Sequence, residues 1–168
     1  MKRMVLFTMG LLVLAGVAAA VEPMIMQGTR AVSVSGSLDD DGEDIGVNLN
    51  GRYGQFISDG IEAGGYAGFG SRGDNKDLSV GAFGEYSFDM GSQVVPYAGG
   101  SAGFAWIDRG PTDDSYFELQ AWGGARYFFI DYAALGCDLV MKFATEDVYN
   151  RGEDAIDWVI RLSTKWFF

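Results

Sequence analysis

The stretch Ala155-Ile156-Asp157-Trp158-Val159-Ile160-Arg161-Leu162-Ser163-Thr164-Lys165-Trp166-Phe167-Phe168 decides how the rest of the chain is read. Successive side chains of an extended chain point to opposite faces. Ile156, Trp158, Ile160, Leu162, Trp166 and Phe168 therefore share one face, and Asp157, Arg161, Ser163 and Lys165 share the other. A helix winds at 3.6 residues per turn and would mix the two sets around its circumference. The stretch reads as a β-strand with one apolar and one charged face.

The same period recurs upstream, interrupted by clusters of Gly, Asp, Asn and Ser that mark turns. Eight strands are predicted, at residues 29–38, 45–57, 61–70, 78–88, 94–107, 116–129, 133–143 and 155–168. In the first, Val32 and Val34 oppose Ala31, Ser33 and Ser35; in the second, Ile45, Val47, Leu49 and Tyr53 oppose Asn48, Asn50 and Arg52. In the third, Ile61, Ala63, Ala67 and Phe69 oppose Glu62 and Tyr66. The fourth sets Leu78, Val80, Ala82, Tyr86 and Phe88 against Ser79, Phe83, Glu85 and Ser87. The sixth sets Phe117, Leu119, Ala121, Tyr127 and Phe129 against Glu118, Gln120, Trp122 and Arg126, and the seventh sets Leu135, Cys137, Leu139, Met141 and Phe143 against Asp138 and Lys142. The fifth is so rich in Gly and Ala that its faces are not assignable from sequence.

Charge placement turns strands into an architecture. Glu62, Glu85, Glu118, Asp138 and Asp157, with Arg52, Arg126, Lys142, Arg161 and Lys165, all fall opposite the aliphatic face. The polar face of a soluble sandwich meets water and need not balance its charges. Five acids matched by five bases point to an enclosed polar interior, where an unpaired charge costs several kcal/mol. The expected fold is all-β: an eight-stranded antiparallel up-and-down barrel with apolar side chains outward to lipid and the ten charges inward. Phe83, Trp122 and Tyr66 are expected to fill the remaining space, because eight strands enclose little more than side chains need.

The connections and the aromatics support that inversion. Short turns at 58–60, 89–93 and 130–132 alternate with longer loops at 39–44, 71–77, 108–115 and 145–154, the asymmetry of transmembrane barrels. Tyr53, Tyr86, Phe88, Tyr127, Phe129, Trp166 and Phe168 lie toward the short turns or the C-terminus, and Phe69, Phe117, Phe143 and Trp158 toward the long loops. Two aromatic belts at the two interfaces are predicted.

The front of the chain is of another kind. Lys2 and Arg3, an apolar run from Met4 to Val17 and Ala18-Ala19-Ala20 have the order of a cleaved export signal. The run is too short for a spanning helix, which takes roughly 20 apolar residues, and no cysteine follows it for lipid attachment. Residues 1–20 are read as a signal peptide and 21–168 as the barrel. Without Lys2 and Arg3, ten bases face 23 acids, a net charge of −13. Such a chain repels nucleic acid. The long loops hold 14 acids and four bases, so −10 of that −13 is expected on the outer surface. A single cysteine, Cys137, allows no internal disulfide and falls on the lipid face. Gly at 25 of 168 is about twice the usual ~7%, yet only three prolines and 14% aromatics exclude a disordered linker.

Several longer matches carry a resemblance. Gly54-Gln55-Phe56-Ile57-Ser58-Asp59-Gly60, Val95-Pro96-Tyr97-Ala98-Gly99-Gly100 and Gly124-Ala125-Arg126-Tyr127-Phe128-Phe129 with Ala134-Leu135 resemble the first periplasmic turn, the fifth strand and the sixth and seventh strands of small outer-membrane barrels of the OmpA/OmpX type. The ending, with Ile160, Leu162, Trp166 and Phe168, is similar to that family's C-terminal signal for the barrel-assembly machinery. Thr164 interrupts the apolar series, and Ile130-Asp131-Tyr132 departs from the usual polar turn. The resemblance implies export to the bacterial outer membrane, contact with its lipid and lipopolysaccharide, and a monomer. Larger members of that family add a periplasmic peptidoglycan-binding domain after the barrel; with the barrel pattern running to Phe168, none is expected here.

Catalysis is not expected. With no histidine, Ser/His/Asp, Cys/His and His-based zinc sites are excluded. The interior acids have basic neighbours and read as structural ion pairs. Gly68-Phe69-Gly70-Ser71-Arg72-Gly73 fits GxGxxG but leads into a strand, not the helix a dinucleotide needs. Asp39, Asp41 and Glu43 in the first long loop are the only candidate cation ligands and lack calcium-loop spacing. No cofactor is expected. The favoured role is structural, a membrane-stabilising barrel with a plugged lumen. Alternatives are surface adhesion, cation-bridged binding of lipopolysaccharide, a narrow porin, or a soluble ligand carrier with the aliphatic face turned inward.

Overall fold

The computed structural model describes residues 21–40, 45–72, 75–108, 113–145 and 155–168. The signal peptide read at residues 1–20 lies outside them. Eight strands follow in order: β1 (Arg30–Asp40), β2 (Ile45–Ser58), β3 (Ile61–Arg72), β4 (Asn75–Ser87), β5 (Val94–Asp108), β6 (Asp113–Ile130), β7 (Ala133–Ala144) and β8 (Ile156–Phe167). Each pairs antiparallel with its neighbour, and β1 also pairs with β8, from Ala31 opposite Phe167 to Gly36 opposite Leu162, so the sheet closes on itself. Closure leaves no row of unpaired backbone N–H and C=O groups, which is what an apolar medium demands of a sheet.

Which face turns inward follows the alternation. Ile160 is 50% exposed, Leu139 48% and Val47 41%, while Arg161 is 7% and Asp138 4% exposed. An inverted, ligand-carrying barrel would have these values exchanged, and that reading is overturned. Facing is also settled for β5: Val95, Tyr97, Ser101 and Ala105 point inward and are buried, while Val94, Phe104 and Trp106 point outward.

Two boundaries differ from expectation. The stretch 71–77, read as a long loop, is mostly paired strand, because β3 and β4 continue to the Arg72–Asn75 pair. Likewise β5 and β6 pair as far as Asp108 and Asp113. Polar residues at strand ends look like loop to a hydrophobicity pattern, yet a hairpin ladder can extend beyond the apolar zone wherever both strands continue. The short turn between β2 and β3 is Asp59-Gly60, with Gly60 in the left-handed region at φ 74° that lacks a Cβ penalty.

The interior is packed in layers along the axis. At the short-turn end Ile25, Ala31, Phe56, Val95, Phe128, Ala134 and Phe167 form an apolar floor. Phe83, Tyr97, Trp122 and Val140 form a second layer, and Ala105 and Tyr116 a third toward the loops.

Candidate functional site

The lumen between these layers holds the charges. Glu62 on β3 and Glu85 on β4 are directly opposite in register. Two carboxylates so placed repel unless cations intervene. Lys165, entering from β8, supplies one: its Nζ donates to Glu62 Oε2 and, at 2.9 Å, to Glu85 Oε1. Arg126 from β6 supplies a second, with Nη2 2.6 Å from the same Oε1. The other oxygen, Oε2, accepts the Trp122 indole N–H at 3.0 Å and has Arg52 Nη1 at 4.0 Å. Glu85 is thus the hub of the cluster, with all four of these partners buried or nearly so.

The reach of Trp122 depends on a missing side chain. Glu85, Gly99 and Trp122 stand in line across β4, β5 and β6. A Cβ on Gly99 would come within 2.7 Å of the indole ring and of the Gly84 carbonyl, so only glycine lets the indole lie over β5 and meet Glu85. Arg52 stacks on the indole, its guanidinium carbon 4.1 Å from the ring centroid.

A second cluster joins β7 to β8. Asp138 and Arg161 are register partners, and the guanidinium donates Nε to Oδ1 at 3.0 Å and Nη2 to Oδ2 at 2.7 Å. The Tyr97 hydroxyl adds a bond to Oδ2 at 3.1 Å. Nearer the loops, buried Glu118 accepts from Gln120 Nε2 at 2.6 Å, and Lys142 stands opposite Asp157 in the β7–β8 ladder, both half-buried. The ten charges expected inward from the sequence therefore all take inward positions, and Asp77, opposite buried Gly70 near the loop end of β4, joins them. Seven of them, Arg52, Glu62, Glu85, Arg126, Asp138, Arg161 and Lys165, fall into the two clusters.

Ile160, Leu162, Trp166 and Phe168 face outward and are exposed, as does Cys137. Asp39 pairs with Gly46 at the loop end of β1, while Asp41 and Glu43 lie outside the described residues. Among the described residues no group of three or more acids or cysteines is arranged to hold a metal ion. Sequence reading missed the floor: Phe56, Val95, Phe128 and Phe167 occupy the same inward phase as the charges. For Phe167 the signal was present, since it alternates with Trp166 and Phe168.

No family model and no curated protein matches the sequence. Solved structures do match. The N-terminal β-barrel domain of Pseudomonas aeruginosa OprF aligns with TM-score 0.63 at 15% identity, over 84% of this chain and 98% of that one. Neisserial surface protein A aligns with TM-score 0.61 at 18% identity, over 83% and 96%. The fold is that of a small outer-membrane β-barrel. The outer membrane protein OprG of Pseudomonas aeruginosa shares it with TM-score 0.56 at 12% identity, over 85% and 97%. In a barrel of this size the two charge clusters act as cross-braces: each ties strands that are not adjacent, or doubles the ladder between strands that are.

Proposed function

We propose that this is an integral protein of the bacterial outer membrane, exported with loss of residues 1–20, whose barrel is filled by its own side chains and whose role is structural. What supports the reading is the lumen, where stacked apolar layers have seven ion-paired charges between them. No catalysis belongs to it. Ile160, Leu162, Trp166 and Phe168 present to the exterior the apolar series that barrel-assembly machinery would engage, and outer-membrane lipid and lipopolysaccharide are the surroundings of a monomer. Outer-membrane fractions should contain a species whose gel mobility shifts on heating, and the purified protein in planar bilayers should show no steady conductance. A soluble periplasmic product, or large stable currents from pure protein, would refute the reading.

The charge of the long loops favours a second role. The stretches 39–44, 71–77, 108–115 and 145–154, strand ends included, together carry −10 and suit cation-bridged contact with lipopolysaccharide phosphates. Asp39→Asn, Asp40→Asn and Asp41→Asn together should then weaken divalent-dependent binding; unchanged binding removes this role.

A further inference from the structure

Residues 21–29 precede β1, and nothing in the sequence pattern of 21–28 assigns them a role. In the structure they run across the short-turn mouth of the barrel. At one side Glu22 N donates to Asp131 Oδ1 at 3.0 Å and Met24 N to the Asp131 carbonyl at 3.2 Å. At the other, Gln27 N donates to Asp59 Oδ1 at 2.7 Å and Gln27 Nε2 to the Ile57 carbonyl at 3.1 Å. Gly28 N reaches the Phe56 carbonyl, and Phe56 N reaches the Thr29 carbonyl, both at 2.8 Å, so the segment grows out of the β1–β2 ladder. Between the two ends, the Ile25 carbonyl accepts from Gly60 N at 2.8 Å.

Asp59 sits in the β2–β3 turn and Asp131 in the β6–β7 turn. In a closed ring ordered β1 to β8 these turns are four strands apart, which is the opposite side. Five residue steps from Glu22 to Gln27 reach at most about 17 Å. Eight strands spaced ~4.8 Å apart and tilted by roughly 40° make a ring about 16 Å across. The segment is long enough to bridge the mouth along a diameter. Ile25, near its midpoint, enters the floor of Phe56, Val95, Phe128, Ala134 and Phe167, and Val21 and Met24 pack on the same floor.

Directly above that floor is the charged hub: Lys165 Nζ lies 5.7 Å from the Phe167 ring centroid and 6.0 Å from that of Phe56. We propose that residues 21–29 are a latch that seals the short-turn mouth against water and thereby protects the Lys165, Glu62, Glu85 and Arg126 cluster, with Asp59 and Asp131 as its two catches. This rests on the closed-lumen reading and names the element that closes one end. The loop half of the lumen has no such seal among the described residues, since Asn48, Asn50, Gln120, Lys142 and Asp157 are only half-buried.

The test uses a buried thiol. In a Cys137→Ala background, Ala134→Cys places a sulfur in the floor, where Ala134 is buried. The protein, folded in micelles, is treated with a small charged thiosulfonate. Labelling should be slow with the latch intact and at least tenfold faster in Asp59→Ala/Asp131→Ala or with residues 21–27 deleted. Ile25→Ser, which keeps both catches, should also accelerate labelling and serves if the deletion does not fold, with the heat-shifted gel band confirming the barrel in each. Equal rates in latched and unlatched proteins would overturn the proposal. So would labelling of the intact protein as fast as that of a thiol at exposed Ser92. Steady conductance of the intact protein would instead count against the closed lumen, leaving the latch to be judged on the labelling ratio.

Discussion

Arg161 holds Asp138 with two parallel hydrogen bonds, Nε to Oδ1 at 3.0 Å and Nη2 to Oδ2 at 2.7 Å, from the directly opposite position of the β7–β8 ladder. The fork of the guanidinium matches the two oxygens of the carboxylate, the strongest geometry an ion pair of this kind takes. Both side chains are buried, so the pair lacks solvent to replace either partner.

Removing one partner should therefore cost far more than removing both. Asp138→Ala leaves a buried guanidinium without its carboxylate and is expected to lower the unfolding free energy by about 3–5 kcal/mol. Asp138→Leu combined with Arg161→Met should recover most of that loss. Urea unfolding in lipid vesicles measures both; a double variant as weak as the single one would contradict the pairing argument.

Glu85 and Glu62 differ in how many cations they hold. Glu85 meets Arg126, Lys165 and Arg52, whereas Glu62 shares Lys165 with Glu85. Glu85→Gln removes the carboxylate that Arg126 hydrogen-bonds and should destabilise by roughly 3–5 kcal/mol. Glu62→Gln leaves Lys165 still paired and should cost clearly less. The order of the two unfolding midpoints is the readout.

Depth on the lipid face should set tolerance to charge. Ile160 is outward and well inside β8, whereas Met90 is in the exposed turn between β4 and β5. Ile160→Arg is expected to cost about 2–4 kcal/mol and Met90→Arg about 0–1 kcal/mol. Equal effects in bilayer-folded protein would mean that the outer face is not immersed.

Glycines should separate by what a methyl group would meet. Gly99→Ala drives a Cβ into the Trp122 ring and the Gly84 carbonyl, and should cost about 1–3 kcal/mol through overpacking. At Gly51 the nearest atom is the Ala67 carbonyl oxygen at 4.0 Å, so Gly51→Ala should be neutral or stabilising by up to about 1 kcal/mol. Thermal unfolding of the two variants distinguishes the sites.

Much of the barrel was legible because strand phase is local. Once Ile160 and Leu162 are read as outward, Arg161 and Lys165 must be inward, and the same parity orients Glu62, Glu85, Glu118, Arg126 and Asp138 on their own strands. Phase fails where side chains carry no preference: Gly99, Gly100, Ala102 and Gly103 leave β5 ambiguous, and only its ladders with β4 and β6 orient it.

The amino-acid sequence by itself thus determined strand number, the inward and outward sets and the need for charge balance, since these depend on periodicity within a few residues. Tertiary structure alone decided partnership. Lys165 meets Glu85 across 80 residues, and Glu22 meets Asp131 across 109, because closure of the ring sets which strands face each other through the lumen and which turns face each other across its mouth. Those distances depend on register summed around the whole sheet, a quantity that no single segment encodes.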